Sequence, residues 1–131
     1  MTNISFAKSR YISDMIEGTK TTTIRRNWER WVKELKAHHD LHVYYGSWRS
    51  SNRVFVGKCK LVSVKVLRGS QLTNIDARAD GFDNLVGLYD ALRVLNDMSL
   101  EDILEHKWAV LEIGVWLVGP NWPGEQEEPS S

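Results

Sequence analysis

Between Gly18 and Arg26 the chain reads Gly-Thr-Lys-Thr-Thr-Thr-Ile-Arg-Arg, which puts an amine, several hydroxyls and two guanidinium groups within a few residues of one another. Lys20 is a candidate base and Thr23 a candidate nucleophile. A threonine hydroxyl is a weak nucleophile that needs a neighbouring base, and a lysine serves as that base only where desolvation or nearby cations lower its pKa. Arg25 and Arg26 supply such cations. The plain alternative is a solvated turn lysine beside an exposed strand threonine. A phosphate-cradling loop is excluded, because the upstream glycine of that motif is missing and the segment follows a helical pattern rather than a strand.

A second set of residues suits stacking. Trp28, Trp31 and Trp48 lie among Arg25, Arg26, Arg30 and Arg49, a mixture in which bases stack on rings while guanidinium groups hold phosphates. Trp28 and Trp31 equally fit the apolar face of a helix. Trp48 sits in a polar turn and is the better stacking candidate. His38, His39 and His42 lack a cysteine or carboxylate at a recognised metal-ligand spacing, so neither a metal nor another cofactor is expected. Asp76, Asp80 and Asp83 read as caps and turns. Cys59 is the sole cysteine, inside an alternating stretch that suits a buried small hydrophobe.

The elements that must carry these residues follow from the apolar spacing. Asn3 to Phe6 predicts a strand, after which Ser9 is expected to cap a helix with Tyr11, Ile12, Met15 and Ile16 on one face, ended by Gly18. Thr21 to Arg25 predicts a strand that sends Ile24 to the core and groups Thr21, Thr23 and Arg25 on an opposite, accessible face. Trp28, Trp31, Val32 and Leu35 fit one side of a helix over 27–39. Leu41, Val43 and Tyr45 alternate as a strand; Arg53 to Leu67 is long enough for a bent strand with Gly57 as a candidate bulge. Past Gly69, a helical turn over Ile75 to Ala79 precedes a helix expected to be capped by Asp83, carrying Leu85, Leu88, Leu92 and Leu95. Ser99 opens a capping box, and Trp108 to Leu117 makes a closing strand with Trp108 and Trp116 in the core. Strands with helices at both ends of a central all-strand run give an α+β plan, most economically a closed or nearly closed sheet with helices packed on it.

With 131 residues, 42% of them hydrophobic, the chain matches one domain with a real core. The expected domain spans 1–119, and the Pro/Ser-containing acidic segment 120–131 is expected as a disordered tail. Neither a membrane span nor a signal peptide is present in the sequence, which predicts a cytoplasmic protein without a membrane partner. A net charge of zero hides two unlike halves: residues 1–70 hold 14 Lys+Arg against 5 Asp+Glu, and residues 71–131 hold 3 against 12. The halves either form a basic and an acidic face or interleave and pair.

Three patterns occur in the order found in ASCH domains: a helix ending in Gly18, the Gly-x-Lys-Thr-x-Thr-x-Arg run to Arg25, and Ala79-Asp80-Gly81-Phe82 before a leucine-rich helix. Over about residues 4–118 the chain resembles the ASCH family of the PUA-like superfamily. The resemblance implies a PUA-like small β-barrel with flanking helices and a partner that is RNA or a nucleoside. It also implies a cleft containing Lys20, Thr21, Thr23, Arg25, Arg26 and Asp80, with Trp28, Trp48 and Arg49 as further RNA-binding candidates. Some relatives are amidohydrolases that deacetylate acetylated cytidine with a lysine, a threonine and a glutamate. By position these roles fall on Lys20, Thr23 and Asp80, the last one methylene shorter than glutamate. Other relatives look like ribonucleases or RNA binders, and a protein-interaction adaptor is a further alternative.

Overall fold

A computed structural model describes residues 2–37, 40–46, 53–119 and 122. Strand β1 (Thr2–Phe6) leads into helix α1 (Ser9–Glu17), which buries Ile12 and Met15. Ser9 is not the cap: Lys8 takes the extended cap conformation, and Ser9 is already helical and buried. Gly18 closes α1 with φ 86°, the left-handed conformation that glycine adopts at least cost. Strand β2 (Thr22–Arg25) and helix α2 (Trp28–Ala37) follow, with Trp31 buried on α2. Strands β3 (Asp40–Tyr45) and β4 (Val54–Arg68) form the middle of the sheet. A short 3-10 turn then leads to helices α3 (Asn74–Ala79), α4 (Leu85–Asn96) and α5 (Leu100–Glu105), and strand β5 (Lys107–Val118) closes the fold. Asn84, not Asp83, caps α4, its side chain accepting from the Gly87 amide at 3.3 Å. Ser99 caps α5 as the sequence predicts.

The sheet runs β1-β3-β4-β5-β2, with β1 parallel to β3 and every other pairing antiparallel. It curls into a half-barrel whose edge strands, β1 and β2, face each other across a seam. The Arg25 guanidinium bridges that seam by donating to the Ser5 carbonyl at 3.0 Å. Curvature comes from register shifts in β4, one against β3 next to Gly57 and two against β5. Such bulges bend a strand and increase its twist. Glycine is required at 57 because a Cβ there would lie 2.2 Å from the Leu117 carbonyl oxygen.

Two cores form on the two faces of the sheet. Ile4, Leu41, Val43, Cys59 and Leu111 fill the inner face beneath α1 and α2. Ile24, Trp108 and Val110 meet Ala77, Leu88, Leu92 and Ile103 from the three later helices on the outer face. This division explains β5: its alternate residues serve different cores, so it reads as nearly continuous apolar sequence. Trp122, inside the segment expected as a tail, is half-buried and packs edge-on against Tyr45, 5.9 Å between ring centres. The remainder of that segment, 120–121 and 123–131, lies outside the described residues. Among the described residues, no helix is long and apolar enough to cross a membrane.

Candidate functional site

The turn after α1 is tied down by its backbone. The Asp14 carbonyl accepts from the amides of Thr19 at 3.0 Å and Lys20 at 3.1 Å. Thr21 then donates to the Ala79 carbonyl at 2.8 Å, which joins this turn to the end of α3 although the two are distant in sequence. On the other side, Asp80 terminates α3, and Gly81 takes φ 90° so that the chain can leave toward Phe82. A Cβ at 81 would meet Lys20 Cβ only at 3.5 Å, so the positive φ rather than lack of space calls for glycine there. Lys20 and Asp80 are brought together by these two turns.

Lys20 is 4% exposed, Asp80 5% and Thr23 5%. Lys20 Nζ donates to Oδ1 of Asp80 and, at 2.9 Å, to its main-chain carbonyl. Backbone and carboxylate of the one aspartate thus both receive the amine. The Tyr11 ring lies 5.6 Å from Nζ and gives the charge a π face. Arg25 packs over the Phe6 ring at 4.7 Å, and its Nε donates to Thr23 Oγ1 at 3.3 Å. The expected open face is open only in part: Thr21 is exposed and Arg25 half-buried, whereas Thr23 is buried, and Ile24 points to a core as expected.

Burial dominates the electrostatics. It pushes the Lys20 amine below the ordinary lysine range, against the pull of Asp80 and with help from Arg25. Burial also pushes the Asp80 carboxyl up to about 6, although Lys20 and Arg25 both favour its ionised form. Arg25 is lowered to about 10, chiefly by burial, and stays charged at neutral pH. A carboxyl raised above its unfolded value of 3.8 holds its proton more tightly in the fold. Its stabilising contribution is then complete below that unfolded value and lost as pH rises through about 6. The Asp80→Asn variant lacks this titration, so its stability relative to wild type is expected to rise between about pH 4 and 7. Denaturant midpoints of both proteins across that range provide the check, and a constant difference would show that Asp80 titrates normally.

Lys20, Thr23, Arg25, Arg26 and Asp80 all line one cavity of about 350 Å³ at the seam, with α4 along one side. Thr21 is exposed and outside this lining, its backbone engaged with Ala79 and Ile113. Trp28 is also outside it, packed on the inner core with Lys107 Nζ 5.7 Å from its ring. Trp48 and Arg49 lie outside the described residues, as do His38 and His39. Sequence reasoning missed Phe6, Tyr11 and Phe82 as cavity residues. Tyr11 carried a signal, a polar-tipped ring on an otherwise aliphatic helix face, and Phe82 lies in the pattern that contains Asp80. The two halves of unlike charge interleave at the site, through Lys20 with Asp80, and again where Lys65 meets Asp76 at 3.1 Å.

No family model matches the chain, and no curated protein matches it by sequence. Its fold is similar to that of the ASCH domain from Lactobacillus crispatus JV V101, with TM-score 0.58 and 14% identity over 90% of this chain and 80% of that one. It is also similar to a protein of Enterococcus faecalis V583 assigned to the family model DUF984, with TM-score 0.58 and 10% identity over 90% of this chain and 77% of that one. The chain therefore has an ASCH-like α+β fold, as its motifs suggest.

Proposed function

From this ASCH-like fold we propose that the chain binds a nucleoside, free or as an unpaired unit of RNA, in the seam cavity. The observation that carries the reading is a buried Lys20–Asp80 pair facing a cavity of about 350 Å³. That volume lies within the range of small-ligand sites, roughly 300–1,000 Å³. The pair offers a donor and an acceptor side by side, matching the edge of a base. Phe6, Tyr11 and Phe82 offer ring faces and edges, and Arg25 offers a fixed cation. Burial of the charges favours a compact ligand over a phosphate chain lying on the surface, since desolvated polar groups discriminate strongly against a ligand that leaves them unpaired.

A second reading, hydrolysis of an N4-acylated cytidine, is favoured by the lowered pKa of Lys20 and by the position of Thr23 on the same cavity. In this reaction Thr23 Oγ1 attacks the acyl carbonyl and its proton passes to Lys20. The C–N bond breaks, and the departing exocyclic amine takes that proton. Water then hydrolyses the threonyl ester, releasing the carboxylic acid and restoring Thr23. Asp80 holds the lysine in position throughout.

Calorimetric titration with cytidine and N4-acetylcytidine, combined with chromatography of the products, separates the readings. Saturable heat with either nucleoside is expected from wild type; its absence with both would remove the cavity reading. If turnover accompanies binding, Thr23→Ala is expected to lower it by roughly 10³-fold or more while affinity changes little. Equal turnover by the variant would exclude Thr23 as the nucleophile.

A further inference from the structure

The solvent face of β3 and the adjoining part of β4 carries a group of residues that neither core uses. Alternation sends Leu41 and Val43 inward and leaves His42 and Tyr44 on the other side. The register then places Lys58 opposite His42, Phe55 opposite Tyr44 and Lys60 opposite Asp40. Phe55 remains 36% exposed, and its ring meets Tyr44 at 5.5 Å and His42 at 5.6 Å, both edge-on. Arg53 lies over the Tyr44 ring at 4.8 Å. Lys58 and Lys60 are exposed, and among the described residues the ion pairs present use other cations.

Rings grouped on a sheet face beside cations not tied to carboxylates are the combination that single-stranded nucleic acid needs. Bases stack on the rings without regard to sequence, and phosphates meet the lysines and arginine. An acidic peptide would use the cations and leave the rings idle. The face is also continuous with the seam cavity: Ser5, which lines that cavity, is the register partner of Tyr44 on the next strand. Neighbouring strands are about 4.8 Å apart, so the rings begin about one strand from the cavity rim.

We propose that the outer face formed by His42, Tyr44, Phe55, Arg53, Lys58 and Lys60 is a stacking platform for single-stranded RNA, continuing from the unit held in the cavity. The continuation rests on the proposed nucleoside site; the platform itself does not. Fluorescence anisotropy with a short labelled single-stranded RNA of mixed sequence, repeated over a salt series, tests it on the full chain. Phe55→Ala, at an exposed position, is expected to weaken binding about fivefold to a hundredfold with an unchanged salt slope. Lys58→Glu with Lys60→Glu is expected to weaken binding and flatten the slope of log affinity against log salt by about 0.7 for each phosphate no longer neutralised. Neither change should alter cytidine affinity in the cavity, which keeps failure of the cavity reading distinct from failure of the platform. Wild-type affinity in both variants, no RNA binding by the wild-type chain, or equally tight binding of polyglutamate would each overturn the proposal.

Discussion

Replacing the Lys20–Asp80 pair by apolar residues of similar size, Lys20→Met with Asp80→Leu, is expected to stabilise the fold by about 1–4 kcal/mol while abolishing the proposed nucleoside binding. Both groups are nearly fully buried, and burial shifts both toward their neutral forms despite their mutual attraction. Desolvation thus opposes both charges, and an uncharged pair of matching volume removes that cost. Equilibrium unfolding and nucleoside titration must be measured together. Lower stability in the double variant would show that the pair contributes net structural energy, and retained binding would show that recognition lies elsewhere.

Trp108→Ala is expected to cost about 3–5 kcal/mol, the usual range for truncating a fully buried tryptophan. Trp108 is 0% exposed, and its indole donates to the Ile103 carbonyl at 2.9 Å, fastening α5 to β5. Its removal opens a cavity in the outer core and takes a donor from that carbonyl. The same core holds Ala77 on α3 and Leu88 on α4, between which the Asp80–Gly81–Phe82 turn is suspended. The proposed nucleoside affinity is therefore expected to fall along with the denaturant midpoint. A loss below about 1 kcal/mol would mean that the outer core closes over the gap, an outcome outside the usual range for such truncations.

The elements were legible because their signals are local. Ile12 and Met15 on α1, Leu41 and Val43 on β3, and Gly18 at the end of α1 each follow from spacing or backbone freedom within a few residues. Two caps lie one residue away from their expected positions: Ser9 is drawn into the buried part of α1, and Asn84 rather than Asp83 reaches the Gly87 amide. Lys20 and Thr23 stand out by their chemistry. Asp80 stands out only by the motif that surrounds it, since an aspartate at a helix end has an ordinary explanation as well.

By itself, then, the sequence of this protein determined its strands and helices and the α+β plan, and it singled out Lys20, Thr23 and Asp80 as residues expected to share a site. Only the tertiary structure decided that the three line one cavity, that Thr23 is enclosed, and that Arg25 reaches across the seam to Ser5. The reason is physical. Periodicity and capping depend on neighbours in the chain, whereas burial and the pKa shifts that follow from it depend on which distant segments pack against a side chain. Lys20 and Asp80 are 60 residues apart and meet only because the bulged, curled sheet returns α3 to the turn after α1.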